Sequence, residues 1–510
     1  MATVSVRHHT MFIGGEAVDS DQHYELRNPA TGEVFATVAK GTVEHADRAV
    51  ATAREAFESG VWSRKSPEDR AAIMKRVADR LATDFEELLE AETLPNGATV
   101  RQASGFHVGL ASPHFQHFAE LAERFQWEQN VPTVNHPTMS MNTIRYEPIG
   151  VCVGIVPWNF PLVLGLWKAA PALAAGNSIV LKPDEKTPLS LLALARICHE
   201  EGVPPGVFNV VTGDGEEVGA HLAAHPGVDK VAFTGSTAVG REIMRLAAGT
   251  IKKVSLELGG KGPVIVLEDA DVETAVDAAL FGCCLYSGQM CESGTRLLLP
   301  DSLHDAFVER LLERVETIRI GDPQDFDTDL GPVINAEQRD RILAYIASGR
   351  QEGAELRCGG GVPSGEQFET GYWVEPTIFT SVTNDMRIAR EEIFGPVLSV
   401  LRYSGVEEAI RIANDTIYGL SAAVWSSDLE QAQEVAARLR AGTVWINDVH
   451  QVDPKCPFGG YKQSGLGREI GPDALKEYCE VKHVHMDLTQ RLDRRVYDLL
   501  LSTPPTSSAT

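Results

Sequence analysis

The order of apolar and polar positions divides the chain into stretches of different period. Residues 11–40 alternate apolar and turn residues (M-F-I-G-G-E-A-V, then N-P-A-T-G-E-V), which predicts hairpin strands. From Thr42 to about Arg124 apolar residues recur every three or four positions, as in R-A-A-I-M-K-R-V-A-D-R-L, which predicts helices punctuated at Pro95-Asn96-Gly97. Trp127 to Asn142 is polar and proline-containing, which suits a projecting hairpin. From Tyr146 to Gly260 short apolar runs alternate with helical stretches. Strands are predicted at Val151–Val156, Ser178–Leu181, Phe208–Val211, Lys230–Phe233 and Val254–Leu258, with helices near 161–175, 187–201, 216–224 and 237–248. That alternation implies parallel strands with crossover helices, a doubly wound α/β domain suited to a nucleotide. A second α/β segment follows, with helices near 303–317, 336–352, 406–414 and 429–440 and strands at Thr295–Leu299, Val397–Leu401 and Thr443–Ile446. The C-terminal tail reads as a short helix followed by disorder.

At 510 residues the chain needs more than one core. Its net charge of -25 repels phosphate backbones and anionic membranes, so nucleic acid and membrane partners are not expected. The most apolar region, Gly150 to Gly176, carries Pro157, Asn159, Pro161, Lys168 and Pro171, which interrupt any membrane span. Eight cysteines follow no regular framework and form no C-x2-C pair, so no structural metal is expected. The N-terminal residues lack a long apolar stretch, and a reducing cytoplasm is the expected location.

Four places carry candidate chemistry. In Y-S-G-Q-M-C-E-S-G-T-R, Cys291 stands between small, flexible residues, as an attacking thiol requires and a core cysteine does not. In P-W-N-F-P, the amide of Asn159 ends an apolar strand, where it needs a partner and could donate to an oxyanion. In L-E-L-G-G-K-G-P, Glu257 ends a strand; partly desolvated there it would have a raised pKa, as a general base needs, and the glycines after it would let it move. In F-T-G-S-T-A-V-G, a strand runs into a helix whose Ser236 can cap the helix and meet a phosphate. Each has a blander explanation: a packed thiol, a turn, a surface carboxylate, a plain N-cap.

Together these segments, with E-E-I-F-G-P at 391–396 and P-F-G-G-Y-K-Q-S-G at 457–465, resemble the aldehyde dehydrogenase superfamily from about Met11 to Asp487. The resemblance implies an α/β fold: a doubly wound nucleotide-binding domain (1–126 and 149–259), a second α/β catalytic domain (260–476) and a small β oligomerisation arm (127–148 and 477–495), then a tail at 496–510. It implies oxidation of an aldehyde to a carboxylic acid. Cys291 would attack, Asn159 and the Cys291 N–H would hold the oxyanion, and Glu257 would activate water against the thioester. Lys168 and Glu469 match a proton relay. Ile155, Val156, Pro157, Trp158, Lys182, Gly215, Phe233, Gly235, Ser236, Val239, Gly240 and Leu258 match the dinucleotide site, and Glu392 and Phe394 match contacts to the nicotinamide ribose. Glu185 falls where the family meets the adenosine ribose, where a carboxylate accepts from hydroxyls and repels a 2′-phosphate. NAD is therefore expected in preference to NADP.

Phe160, Leu164, Trp167, Leu285, Met290, Val452 and Phe458 match the substrate pocket, and their apolar character fits an aliphatic or aromatic aldehyde. Two positions depart from the family: Glu292 beside the nucleophile, and Val452 where an aromatic is common. A cationic aldehyde met by Glu292 stays open. A CoA-acylating relative typically lacks a base at the position of Glu257, and a silent scaffold would not keep Cys291, Glu257 and Asn159 together. The arm implies a homo-oligomer, dimer or tetramer.

Overall fold

The computed structural model describes residues 6–491 and 496–501. Its first sheet has eight strands in the order Gly465–Leu466, Lys253–Glu257, Lys230–Thr234, Val151–Val156, Ser178–Pro183, Phe208–Val210, Met11–Ile13, Glu16–Val18. The five strands from Lys253–Glu257 to Phe208–Val210 are parallel. From Val151–Val156 the chain builds outward to one side through Ser178–Pro183 and Phe208–Val210, then returns to lay Lys230–Thr234 on the other. That reversal opens a crevice at the C-terminal ends of Val151–Val156 and Lys230–Thr234, where ligands of such sheets bind. Both strands are buried throughout, and the helix Pro161–Ala175 is buried on every face. A strand covered on both sides therefore reads as a continuous apolar run.

The second sheet has seven strands: Glu355–Cys358, Thr377–Thr380, Val397–Tyr403, Arg296–Pro300, Pro263–Val266, Ser421–Trp425 and Thr443–Ile446. All neighbours are parallel except the first pair. Pro263–Val266 and Ser421–Trp425, its fifth and sixth strands, escape the sequence pattern, as does the helix Val272–Cys284 that leads the chain towards Cys291. Short apolar runs have no period to declare them. A third sheet joins Glu128–Val134, Ser140–Pro148 and Cys479–Asp487, the last two paired along their whole length. This is the β arm expected from the polar hairpin. Val496–Leu499 forms one 3-10 turn, and residues 502–510 of the expected tail lie outside the described residues.

Arg296 locks the segment that follows Cys291 to this frame. Its guanidinium is fully buried and donates to the carbonyls of Lys261, Ile412 and Ala413 at 3.1, 3.1 and 2.9 Å and to Asn384 Oδ1 at 2.9 Å. Two of those carbonyls belong to the last turn of the helix Val406–Asn414, where a cation also suits the helix dipole. Burial pulls the pKa of Arg296 down to about 10, still far on the charged side of neutrality.

Candidate active site

The turn before Cys291 is held in a backbone conformation that few residues adopt. Tyr286, Ser287 and Gly288 have φ of +49°, +53° and +71°, a left-handed run that costs energy at the two non-glycine positions. Buried polar contacts fix it: Tyr286 donates its hydroxyl to the Asn96 carbonyl at 3.0 Å, and Ser287 donates to the Gly331 carbonyl at 2.7 Å. A side chain at Gly288 would overlap the Gly395 backbone. Glycine is thus required there both by φ and by close approach. Gly260 and Gly259 serve the same end, since a Cβ at Gly260 would overlap the Cys291 carbonyl and one at Gly259 the Glu392 carboxylate. The Gly-Gly read as freedom for Glu257 to move brings three segments into contact.

Cys291 is partly exposed and lies where two clefts meet. One holds Pro157, Trp158, Asn159, Gly235, Ser236, Glu257, Glu392 and Phe394 along with the thiol. Burial, the largest cause, pushes the Cys291 thiol well above its ordinary pKa. A neutral thiol waiting for a base is the result. Asn159 Nδ2 donates one hydrogen to the Gln289 carbonyl at 3.0 Å, which fixes the amide and leaves its second hydrogen for a ligand. Among the described residues no acceptor takes the Cys291 backbone N–H. Two oriented donors at one thiol are what an oxyanion needs.

Glu257 is buried, and among the described residues neither carboxylate oxygen has a hydrogen-bond partner. Desolvation drives its pKa well up, and the nearby Glu469 charge adds to this against the opposing pull of Lys168 and Arg468. Beneath it, Lys168 Nζ donates to Glu469 Oε1 at 2.8 Å, Thr234 Oγ1 at 2.6 Å and the Leu164 carbonyl at 3.3 Å. Lys168 and Glu469 therefore form one buried pair, with Glu469 Oε2 unpartnered among the described residues.

At the crevice the helix Thr237–Ala247 starts with Ser236, whose hydroxyl accepts from the Val239 N–H at 3.3 Å. Ile155 and Val156 end the adjoining strand. A Cβ at Gly235 would overlap the Phe233 ring and one at Gly240 the Leu258 side chain, so these four residues set the floor by packing. Val239 is exposed beside them and open space borders Gly215. Glu392 accepts from the Gly260 N–H at 2.9 Å, and burial pushes its pKa up to about 7. Phe394, at φ +60°, meets Trp158 edge to face at 5.3 Å. Gln338 and Arg341, which the sequence reading missed, complete this cleft. Lys182 is buried, and its ammonium lies 3.7 Å from Glu185, which also pairs with Lys186 at 2.9 Å. Burial alone would raise the Glu185 pKa, but the two lysines bring it below its ordinary value.

The second cleft is apolar. Phe160, Leu164, Trp167, Met290, Val452 and Phe458 line it together with Phe106, Leu110 and Val163, which carried no motif. Leu285 lines a neighbouring outer cleft with Arg101 and Phe106 instead. Trp167 donates its indole N–H to His114 Nδ1 at 2.8 Å and packs against Phe458 at 5.3 Å. Besides Cys291, the chamber's ionisable walls are Glu292 and His450.

The profile of the aldehyde dehydrogenase family matches residues 17–484. The chain belongs to the aldehyde dehydrogenase family. This aldehyde dehydrogenase is similar to the betaine aldehyde dehydrogenase of Bacillus subtilis, with 47% identity over 93% of this chain and 97% of the relative. The corresponding figures for the betaine aldehyde dehydrogenase of Brucella anthropi are 44%, 94% and 97%. Among solved structures, betaine aldehyde dehydrogenase from Staphylococcus aureus in complex with NAD+ superposes with a TM-score of 0.93 at 40% identity, covering 97% of each chain. An NAD+ complex of aldehyde dehydrogenase from Bacillus cereus gives 0.91 at 42%, covering 94% of this chain and 97% of that one. Among the described residues of the aldehyde dehydrogenase, no helix is long and apolar enough to cross a membrane.

Proposed function

We propose that the enzyme oxidises an uncharged aldehyde to its carboxylic acid with NAD, by thiol addition at Cys291 and hydrolysis through Glu257. One observation carries this: the thiol and an unpartnered buried carboxylate line a single cleft between a helix N-terminus and an apolar chamber. The cleft residues suit NAD. The first turn of the Thr237–Ala247 helix offers N–H groups to a pyrophosphate, open space beside Gly215 admits a ligand, and Glu392 offers a carboxylate to ribose hydroxyls. NAD, when bound, takes up the hydride.

The chain's own residues do the rest. The Cys291 sulfur adds to the aldehyde carbon, its proton leaving to Glu257 or to water that Glu257 holds. Asn159 Nδ2 and the Cys291 N–H stabilise the oxyanion, and hydride loss leaves a thioester on Cys291. Glu257 then takes a proton from water as that water attacks the thioester. The acid departs, the Cys291 sulfur is freed, and Lys168 with Glu469 offers the proton a route out. Because its pKa is raised, Glu257 keeps its proton over a pH range where an ordinary glutamate is already ionised, and in that range it cannot act as a base. Hydrolysis therefore gains with rising pH above the usual carboxylate range.

A quaternary ammonium aldehyde is the second reading, favoured by the identity to the Bacillus subtilis enzyme. Against it stand Val452 in the chamber wall and the His450 imidazole, 3.0 Å from Glu292, which offsets the one acidic side chain there. We divide the chain at the boundaries expected from sequence, supported by the two large sheets and the arm sheet, with only the short strand Gly465–Leu466 of the 260–476 segment joining the first sheet. A reducing cytoplasm suits an enzyme whose eight cysteines are all free.

Cys291→Ala removes turnover altogether, whereas Glu257→Gln, which cannot accept a proton, releases up to one NADH per site in a burst and stalls as acyl-enzyme. Rapid-mixing absorbance and mass spectrometry distinguish them; full steady-state activity in folded Glu257→Gln contradicts the base assignment. Glu185→Ala lowers the ratio of kcat/KM for NAD to that for NADP, since Lys182 then loses its carboxylate partner and can meet a 2′-phosphate. An unchanged ratio shows that Glu185 does not face the ribose. The arm presents Val131, Val134, Met141, Val481 and Met486 to solvent, and its two flanking strands, Glu128–Val134 and Cys479–Asp487, have unpaired outer edges among the described residues; this supports a homo-oligomer. Light scattering should return a multiple of 55.4 kDa, and the single-chain mass at micromolar concentration contradicts the assembly.

A further inference from the structure

Glu292 follows the nucleophile directly and turns away from the cofactor cleft into the substrate chamber. Its backbone carbonyl accepts from Ser421 Oγ at 2.9 Å, which fixes the orientation of the residue. Its side chain is 6% exposed and meets His450, 1% exposed, at 3.0 Å between Oε1 and Nδ1. His450 sits at φ +58° and packs edge-on against Phe281 and Trp445 at 5.6 and 6.2 Å. The dyad is thus built from segments 158 residues apart and held from both sides.

The second ring nitrogen decides the charge. His450 Nε2 lies 3.2 Å from the Gly282 carbonyl, which can only accept, so Nε2 carries a hydrogen. Nδ1 against the carboxylate then needs one more proton between them, on the ring or on Glu292. Imidazolium with carboxylate and imidazole with carboxylic acid both sum to zero. The dyad is neutral, and no other acidic side chain lines the chamber among the described residues. Glu292 Oε2 has no hydrogen-bond partner among the described residues, in a chamber otherwise walled by Phe106, Phe160, Leu164, Trp167 and Phe458.

We propose that Glu292, poised by His450, is a specificity-determining residue that accepts a hydrogen bond from a hydroxyl on the substrate, so that the preferred class is hydroxyaldehydes. An apolar aldehyde filling the chamber strips water from Oε2 and leaves it unpaired; a hydroxyl restores the bond. A quaternary ammonium group has no hydrogen to donate and meets no net charge. His450 acts through Glu292 and is a positioning residue. The inference rests on the proposed NAD-dependent oxidation.

The test compares ortho-, meta- and para-hydroxybenzaldehyde with the methylbenzaldehydes of the same substitution, and adds betaine aldehyde, all followed as NADH formation by the full-length enzyme. Each aromatic pair differs by a hydroxyl in place of a methyl of nearly equal size. Wild type should prefer the hydroxylated member by about 10- to 100-fold in kcat/KM at one ring position at least, the range expected of a hydrogen bond to a charged or strongly polar buried group. Glu292→Met should abolish or invert that ratio, whereas loss of a merely structural contact would lower both members alike. His450→Asn, which tolerates the same backbone angle, should leave Glu292 uncompensated and raise the relative use of betaine aldehyde. Should Glu292→Met fail to fold, the wild-type ratios and His450→Asn still decide. Equal use of both members at every ring position overturns the inference, as does a ratio that persists in Glu292→Met or a wild type that prefers betaine aldehyde to all of them. If wild type forms no NADH from any of these aldehydes, the proposed oxidation fails first and takes the inference with it.

Discussion

The ion pair between Lys168 and Glu469 sets the conditions under which this active site works. It joins a helix of the first sheet to the glycine-rich return of the chain 301 residues later, with both side chains almost fully buried. Burying two charges costs more than a pairwise attraction repays unless further hydrogen bonds help. Here Thr234 and the Leu164 carbonyl take the remaining ammonium hydrogens. The pair holds a negative charge near Glu257 and a positive one opposing it, while the surrounding protein withholds water. Glu257 is left as a carboxyl that favours its proton, and desolvation is the dominant cause.

The same pair ties base, substrate chamber and cofactor crevice into one unit. Glu469 and Phe458 exchange backbone hydrogen bonds at 2.9 and 3.0 Å, so the ion pair and a chamber wall move together. Ser464 Oγ donates to the Gly259 carbonyl at 2.7 Å and accepts from the Gly419 N–H at 2.9 Å, binding that return to the loop after Glu257. On the far side, Gly259 and Gly260 lie against Glu392 and Cys291, where no side chain would fit. Cys291, Glu257 and Glu392 are thus placed by backbone contacts between segments distant in sequence, which gives them the rigidity that oriented catalysis needs.

Much of this was legible in the sequence, for identifiable reasons. Val151–Val156 and Lys230–Thr234 show as apolar runs because both faces are covered, and Asn159 and Ser236 stand at their ends as a polar amide and an N-cap. Cys291 declares itself by its small neighbours. Pro263–Val266 and Ser421–Trp425 do not, because four or five apolar residues without a period fit a buried helix equally well. Phe106 and Leu110 reach the chamber from an ordinary amphipathic stretch, and nothing local separates them from core. Leu285 sits one turn from the nucleophile but faces the outer cleft, since the left-handed run at Tyr286–Gly288 redirects the chain. The partner of Glu292 was illegible: His450 lies in a loop, and only the fold brings it within hydrogen-bond distance.

The central claim is that burial makes Glu257 a carboxyl with a raised pKa beside the thiol. Difference infrared spectroscopy of the ligand-free enzyme, titrated across the acid-to-neutral range, measures this directly through the carboxyl C=O stretch. The account predicts a protonated carboxyl band that persists well above the ordinary glutamate pKa of about 4.3, is missing in Glu257→Gln, and survives in Glu392→Gln, which removes the other carboxyl that burial pushes up, to about 7. A band in wild type that is unchanged by Glu257→Gln, or that is gone by the ordinary glutamate range, would contradict it.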